Sequence, residues 1–133
     1  MDTAAYPHFD ELIHIAEKAF QDVLCHLDTT PKRALLTLRG KYEFCEIFVT
    51  ELRAGRERKY RFYAIREGTV AAGFDNAPDP RALRMKFGKI NPKNIGTPIP
   101  HLHLDNKTRL VLTEEITLSD FVQWLRENPV CDE

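Results

Sequence analysis

The feature that most constrains this chain is a series of β-strand patterns joined by very short connections. Tyr42 to Glu51 alternates between two faces that are both largely apolar, which is typical of a central strand covered on each side. After the loop RAGRER, the segments KYRFYAI and TVAAGF flank a tight turn at Glu67 and Gly68. Parallel strands need crossovers of about a dozen residues or more, so these connections predict an antiparallel meander.

Further strand patterns extend this sheet at both ends. Ala34 to Leu38 reads as a strand, with Gly40 as a turn or bulge before the next run. His101 to Asp105 and Thr108 to Leu112 read as two short strands around a turn. We therefore expect a meander of about five or six strands.

Helical patterns lie before and after the strands. Apolar residues at three-and-four spacing predict a long amphipathic helix from Pro7 to about Leu27, ended by DTTP. TLSD, from Thr117, resembles a capping box and begins a short C-terminal helix. The proline-rich connection 75–100 has room for at most one helical turn, around Arg81 to Phe87. The predicted fold class is α+β: an antiparallel sheet with a long N-terminal and a short C-terminal helix.

Length and cysteine content set the domain organisation and the expected compartment. The 133 residues suit one domain, 1–133, with an N-terminal helical segment 1–31 followed by the sheet and C-terminal helix in 32–128. No apolar run reaches the roughly 18 residues that a membrane helix needs, so we expect no membrane partner. Cys25, Cys45 and Cys131 are odd in number and widely spaced, which predicts free thiols and a cytoplasmic location.

Charge is distributed unevenly along the chain. Residues 1–31 and 110–133 each carry a net charge of −5, whereas residues 32–109 carry +9, for a total of −1. A basic middle between acidic ends indicates a surface that faces a polyanion. The alternative is that acidic terminal helices pack beside the basic sheet and neutralise it.

The segment PHLHLD places two histidines on one face of a predicted strand. His101 and His103 are two residues apart, so their side chains project in the same direction. Imidazoles can serve as general acid and base near neutral pH, or they can bind a metal. Zinc requires a third ligand, and Asp75 or Asp105 would have to supply it. A pair of surface histidines on an edge strand is the plain alternative.

The segment FDNAP ends the strand pattern that precedes the long connection. Asp75 and Asn76 can bond their own backbone two residues on, and Pro78 stops the strand, so a turn explains them. A carboxylate at a strand end can also orient an imidazole. Which histidine Asp75 would reach stays open. The candidate catalytic residues are His101, His103, Asp75 and Asn76, with no metal among the expected components.

Basic residues interleave with aromatic residues in RAGRERKYRFYAIR, and a second basic cluster follows Asp79. Arginine side chains fork onto phosphates, and aromatic side chains stack on unpaired bases. Strand alternation separates Arg61 and Tyr63 from Tyr60, so only one face meets a ligand. A solvated basic loop is the alternative. The candidate nucleic-acid-binding residues are Arg39, Arg58, Arg61, Tyr63, Arg84, Lys86 and Lys89.

Four short motifs follow one another over residues 33–128: YRFY (60–63), FDNAP (74–78), PHLH (100–103) and TLSDFVQWL (117–125). In order and spacing they resemble the TumE family, small toxins of bacterial and archaeal toxin–antitoxin pairs. The chain departs from the family pattern, in which further histidines follow DNAP; here Asp79 follows it. The insert from Arg81 to Pro98 and the N-terminal helix are additional to that pattern.

The resemblance implies a toxin that is paired with a DNA-binding antitoxin and that attacks RNA or translation. Our hypothesis is a metal-independent, ribonuclease-like toxin with no cofactor. In it, Asp75 orients one of the histidines, which act as acid and base. The expected partners are RNA and a cognate helix-turn-helix antitoxin; the choice between monomer and homodimer stays open. The alternative is a non-catalytic RNA- or protein-binding module of a larger complex.

Overall fold

One antiparallel sheet of seven strands dominates the computed structural model, which describes residues 5–133. The strands neighbour one another in the order of the chain, so the sheet is a simple meander. Their bounds are β1 Gln21–Thr29, β2 Ala34–Tyr42, β3 Cys45–Ala54, β4 Glu57–Arg66, β5 Thr69–Asp75, β6 His101–Leu104 and β7 Arg109–Leu112. The helices are α1 Ala5–Ala19, α2 Pro80–Phe87 and α3 Leu118–Glu127, and a 3₁₀ turn covers Pro129–Cys131. The predicted α+β class is confirmed, with more strands than expected.

The main core lies between one face of the sheet and the helices α1 and α3. Leu36, Leu38, Ile47, Val49, Tyr60, Phe62 and Phe74 all project towards it and are buried. Phe121 of α3 packs on Phe62 and Phe74, and Trp124 packs edge-on against Phe74. Thr117 and Asp120 form the predicted capping box at the start of α3. This face of the sheet is therefore closed to ligands.

The N-terminal helix is shorter than its apolar spacing predicts. It ends at Ala19, and residues 21–29 form β1, which pairs with β2 with one irregularity between Gln21 and Leu24. Val23 and Leu27 reach the core from β1, whereas Leu24 is largely exposed. These residues fit strand alternation as well as helical spacing. Backbone hydrogen bonds to the otherwise unpaired edge of β2 favour the strand. The prediction of a helix to Leu27 is wrong for its last third.

Gly40 lies inside β2, paired with Ile47, and not in the turn that was predicted. The turn comes later, between Tyr42 and Cys45. A side chain at position 40 would lie 3.0 Å from Cβ of Phe20, so glycine lets the end of α1 cross closely over the strand. The α2 helix, Pro80–Phe87, is also longer than the single turn expected.

Cys45 and Cys131 form a disulfide, which corrects the prediction that they are free thiols. Their Cα atoms lie 5.2 Å apart although 86 positions separate them in the sequence. The backbone NH of Phe44 also donates to the carbonyl of Cys131 at 2.9 Å. The 3₁₀ turn after α3 thus returns to the start of β3, a contact that sequence spacing does not reveal. Cys25 is exposed on β1 and is outside the disulfide.

Candidate functional site

The second face of the sheet, opposite α1 and α3, carries six of the candidate residues in two adjacent rows. In one row Thr50, Arg61, Asp75 and His101 lie side by side on β3 to β6. In the other row Phe48, Tyr63, Gly73 and His103 do the same. Arg39 of β2 is paired with Phe48 and extends the second row. We call this surface, with Arg39, Phe48, Arg61 and Tyr63 as its accessible part, the cationic face.

Three of the predicted catalytic side chains converge at the β5–β6 end of this face. Nε2 of His101 lies 3.1 Å from Nε2 of His103 and 3.2 Å from Oδ1 of Asp75. Nε2 of His103 lies 3.5 Å from Oδ2 of the same carboxylate. Asp75 therefore reaches both histidines, which the sequence left open. The three side chains are called the Asp75–His101–His103 cluster below.

Backbone and hydroxyl groups hold the cluster in place. Nδ1 of His101 lies 2.6 Å from the carbonyl oxygen of Ile99, so the proton of a neutral His101 is on Nδ1 and its Nε2 carries a lone pair. Asp75 accepts the backbone NH of Ala77 at 3.0 Å, which is the predicted Asx turn. It also accepts the Tyr63 hydroxyl at 2.8 Å. The turn and the cluster use the same carboxylate.

The cluster is buried, with exposures of 2% for Asp75, 1% for His101 and 4% for His103. Burial, followed by the neighbouring His101, lowers the pKa of His103 below its ordinary value of 6.5 and favours the neutral ring. Burial also raises the pKa of the Tyr63 hydroxyl, and the charge of Asp75 adds to this. Tyr63 therefore stays a hydrogen-bond donor to Asp75 at physiological pH.

Gly73 explains how the Tyr63 ring reaches Asp75. A Cβ atom at position 73 would lie 2.9 Å from two carbons of that ring, closer than a real Cβ contact. The ring therefore lies across the glycine backbone to the neighbouring strand, where its hydroxyl meets the carboxylate. The cations of Lys107 and Arg61 lie 5.3 Å and 5.7 Å from its centroid.

The α2 helix packs beside the cluster, on the same face of the sheet. Ala82 and Leu83 of α2 form a second small core with Ile99, packed against Leu110 and Leu112 on the same face as the histidines. Asp79 caps the helix by accepting the backbone NH groups of Arg81 and Ala82. The other candidate cations of this region, Arg84, Lys86 and Lys89, are exposed on α2 or just after it.

Two residues near the cluster were not predicted as site residues. Nη2 of Arg81 lies 3.5 Å from Nδ1 of His103, and Nη1 donates to the carbonyl of Lys107 at 2.7 Å. Arg81 follows shortly after the DNAP motif, and Lys107 lies in the turn after PHLH. Proximity to those two motifs is the signal that could have indicated them.

Two of the predicted site residues, Asn76 and Arg58, make structural hydrogen bonds outside the cluster. The Asn76 side chain accepts the backbone NH of Tyr60 at 3.1 Å and donates to the carbonyl of Arg58 at 2.8 Å, which ties β5 to β4. Arg58 donates to Glu51 at 2.8 Å and to Glu115 at 3.0 Å on the helix-covered side. His8 and Arg53 also contact Glu51, whose side chain is fully buried. These contacts assign Asn76 and Arg58 to the fold.

Two shallow grooves lie on the cationic face beside the cluster. One, of about 290 Å³, runs past Leu52, Lys59, Arg61, Asn76 and Pro78. The other, of about 370 Å³, is lined by Phe48, Thr50, Arg61, Tyr63, Ile65 and Lys107. Thr50 and Arg61 border both grooves. Arg61 is directly paired with Asp75, so the accessible surface adjoins the buried cluster.

The comparisons with known proteins leave the site to be interpreted from its geometry. No family model matches the chain, and neither a curated protein nor a solved structure matches it. Within residues 5–133, no helix is long and apolar enough to cross a membrane.

Proposed function

We propose that this protein is the toxin of a bacterial or archaeal toxin–antitoxin pair and that it cleaves RNA. The observation that carries the proposal is the Asp75–His101–His103 cluster beside a surface of arginines and aromatic rings. The DNAP and PHLH motifs, on which the TumE resemblance rests, supply the carboxylate and the two imidazoles. The resemblance supports the assignment to a class of toxins, and the cationic face supports RNA as the substrate.

RNA would bind along the cationic face. Arg39 and Arg61 are exposed and would pair with phosphates, while Phe48 and Tyr63 offer partly exposed rings for unpaired bases. Arg39 lies over the Phe48 ring at 5.0 Å, so cation and aromatic form one contact surface. The exposed cations of α2 and the following loop, Arg84, Lys86 and Lys89, extend the positive surface beyond the cluster.

The cluster would take the proton of the attacking hydroxyl. A ribose 2′-hydroxyl gives its proton to the cluster, its oxygen bonds to the adjacent phosphorus, and the bond to the 5′-oxygen breaks. That oxygen takes a proton from water, and the hydroxide formed accepts the proton held by the cluster. The products are a 2′,3′-cyclic phosphate and a 5′-hydroxyl.

The spacing of the imidazoles changes the roles expected from the sequence. An acid and a base for in-line attack stand on opposite sides of the phosphate, but the two Nε2 atoms are only 3.1 Å apart. His101 and His103 would therefore act with Asp75 as one unit on one side of the phosphate. Tyr63 and Arg81 cover that unit, so substrate access requires one of these side chains to swing away.

Inducible expression in a bacterial host tests the proposal. The wild type should stop growth and leave RNA fragments with cyclic phosphate ends, whereas Asp75→Asn and His103→Gln should allow growth. His26→Gln is the matched control, because His26 lies exposed on β1, five strands away from His101 in the same cross-strand row. Growth arrest without RNA fragments, or equal arrest by all variants, would contradict cleavage by the cluster.

A non-catalytic RNA-binding module is the second candidate, and the burial of the cluster favours it. Under this alternative the cluster only holds β5 to β6. The purified protein would then bind single-stranded RNA, with an affinity that falls steeply as salt is raised, and would leave the RNA intact. Incubation of end-labelled RNA with the purified protein separates the two candidates.

The proposal includes a cytoplasmic location and a helix-turn-helix antitoxin as partner. Co-expression of a small helix-turn-helix protein encoded by the neighbouring gene should restore growth and should co-purify with the toxin. In a reducing cytoplasm we expect Cys45 and Cys131 as thiols, still close together through the Phe44–Cys131 backbone hydrogen bond. Failure of every neighbouring gene product to bind would contradict the toxin–antitoxin assignment.

A further inference from the structure

We propose that Asp75, His101 and His103 bind a divalent transition-metal ion, with zinc as the ion that fits best. The role of the ion rests on the proposed function, since the same cluster is the proposed chemical centre. Ion binding itself requires no RNA and is testable alone.

The separations between the ligand atoms suit a single ion. Bonds of about 2.0–2.2 Å at tetrahedral angles place ligand atoms about 3.3–3.6 Å apart. The observed separations are 3.1 Å between the two Nε2 atoms and 3.2 Å and 3.5 Å from them to the Asp75 oxygens. All three residues offer ligand atoms within 4.8 Å of one another. An acid–base pair does not need three ligand atoms to converge in this way.

The surroundings of the cluster match those of metal-bound imidazoles. Nδ1 of His101 faces the Ile99 carbonyl, and a backbone carbonyl in that position turns the Nε2 lone pair towards a metal. The Tyr63 hydroxyl and the Ala77 NH hold the carboxylate in the same manner. A carboxylate between two imidazoles also neutralises part of the charge of a buried cation.

The donor set indicates which class of ion would bind. Two imidazoles and one carboxylate suit zinc and its first-row neighbours, whereas magnesium and calcium prefer oxygen ligands. Three protein ligands with a fourth position left for water are typical of catalytic zinc sites. A bound ion of this kind would occupy the lone pairs that otherwise take the proton of the 2′-hydroxyl. In the metal-bound protein a hydroxide held by the ion, rather than the cluster itself, would accept that proton, and the ion would stabilise charge on the phosphate.

The guanidinium of Arg81 should weaken ion binding, which offers a specific test. Its Nη2 approaches Nδ1 of His103 at 3.5 Å, but Nδ1 must carry a proton when Nε2 binds a metal. Two donors would then face each other, beside a second positive charge. Arg81 is exposed, so its side chain can turn towards solvent. Removing the guanidinium should therefore strengthen ion binding severalfold.

The experiment titrates metal alone into chelator-treated full-length protein. A Cys25→Ser background removes the exposed thiol, and the binding of zinc is measured by calorimetry and that of cobalt(II) by visible absorption. We expect one ion per chain with a Kd of about 1 μM or lower. The melting temperature should rise by roughly 5–10 °C at a hundredfold excess over Kd. Magnesium should produce neither effect.

Variants assign the site. Asp75→Asn and His103→Gln should weaken zinc binding by at least about tenfold, Arg81→Gln should strengthen it, and His26→Gln should leave it unchanged. Circular dichroism checks that each variant is folded. If the cluster variants do not fold, the imidazole ¹⁵N spectrum of the wild type decides. Zinc should then shift the Nε2 signals of His101 and His103, but not that of His26.

Several results would overturn the inference: no zinc binding at 100 times the expected Kd, binding that His26→Gln abolishes, or imidazole signals that zinc does not shift. These results leave RNA binding and cleavage to be measured separately, because no RNA is present. Conversely, one bound zinc per chain in a protein that neither binds nor cleaves RNA would reject the proposed function and keep the metal site.

Discussion

Arg58 and Arg61 show at the scale of single residues how strand alternation separates two identical side chains. Both stand in β4, three positions apart, and both were predicted to bind nucleic acid. Arg58 projects to the helix-covered side, where it pairs with the buried Glu51. Arg61 projects to the cationic face and is exposed. One arginine therefore has a structural partner and the other is available to a ligand.

We expect Arg58→Ala to lower the free energy of unfolding by about 2 kcal/mol or more, because it removes a partner from a buried carboxylate. The loss should stay below the ~3–5 kcal/mol of an isolated buried pair, since Arg53 and His8 still contact Glu51. Urea unfolding measures the change. A shift of less than about 0.5 kcal/mol, typical of surface substitutions, would show that the pair is not structural.

Arg61→Ala is the matched variant, and it should have the opposite profile. Stability should change by less than about 0.5 kcal/mol, because the side chain is exposed. Affinity for single-stranded RNA should fall, and the dependence of log Kd on log salt should lose about one unit of slope. Fluorescence anisotropy at several salt concentrations measures both quantities. An unchanged affinity would remove Arg61 from the proposed RNA surface.

The packing of the Tyr63 ring requires that position 73 carry no side chain. Gly73→Ala should destabilise the protein by about 1–3 kcal/mol, because the new methyl group would overlap the Tyr63 ring. In a Tyr63→Ala background the same substitution should be nearly neutral, since the ring is gone. Thermal unfolding of the four proteins in this double-mutant cycle gives the coupling. Additive effects would contradict the stacking of the ring on the glycine.

At the scale of elements, the start of α2 depends on Asp79. Burial alone would raise the pKa of this carboxyl, but hydrogen bonds from the backbone of Arg81 and Ala82 outweigh burial and lower it. A lowered pKa means that the charged form stabilises the fold. This contribution is present above the ordinary value of 3.8 and is lost as pH falls through the lower folded value.

Asp79→Ala should therefore cost about 0.5–2 kcal/mol at pH 7. The difference from the wild type should shrink once pH falls below 3.8, where the carboxyl of the unfolded chain takes up a proton, and should disappear below the lower folded value. Urea unfolding at pH 7 and pH 3 measures both values. Asp79→Asn, which keeps an acceptor oxygen, is the control and should lose less. An equal difference at both pH values would show that the charge of Asp79 does not contribute.

The elements also show where local patterns are sufficient and where they are not. The alternation in β4 and the capping box of α3 predicted those elements closely. The strand predicted over Tyr42 to Glu51 is displaced, because β3 is Cys45–Ala54, and its second face is open rather than covered as predicted. The boundary between α1 and β1 was missed, because Val23 and Leu27 satisfy both periods. Pairing with the edge of β2 selects the strand, and a pattern read within residues 20–29 does not contain that partner.

At the scale of the whole molecule, the Cys45–Cys131 disulfide joins the C-terminal turn to the start of β3. Reduction should lower the free energy of unfolding by about 2–4 kcal/mol, because the closed loop is long. Melting with and without reductant measures the loss. Cys45→Ser should reproduce the effect of reduction, and Cys25→Ser should not change stability. A reductant-independent melting temperature would contradict the bond.

The sequence by itself determined the class of fold, the antiparallel order and the residue types of the site. Each of these follows from local rules: a period of two, short connections, turn residues and caps. Only the tertiary structure decided that Asp75 meets both imidazoles, that Arg58 and Asn76 support the fold, and that Arg81 covers the cluster. These contacts depend on the register between β5 and β6, and a connection of 25 residues separates the two strands. Local pattern cannot set that register, because packing across the whole sheet selects it.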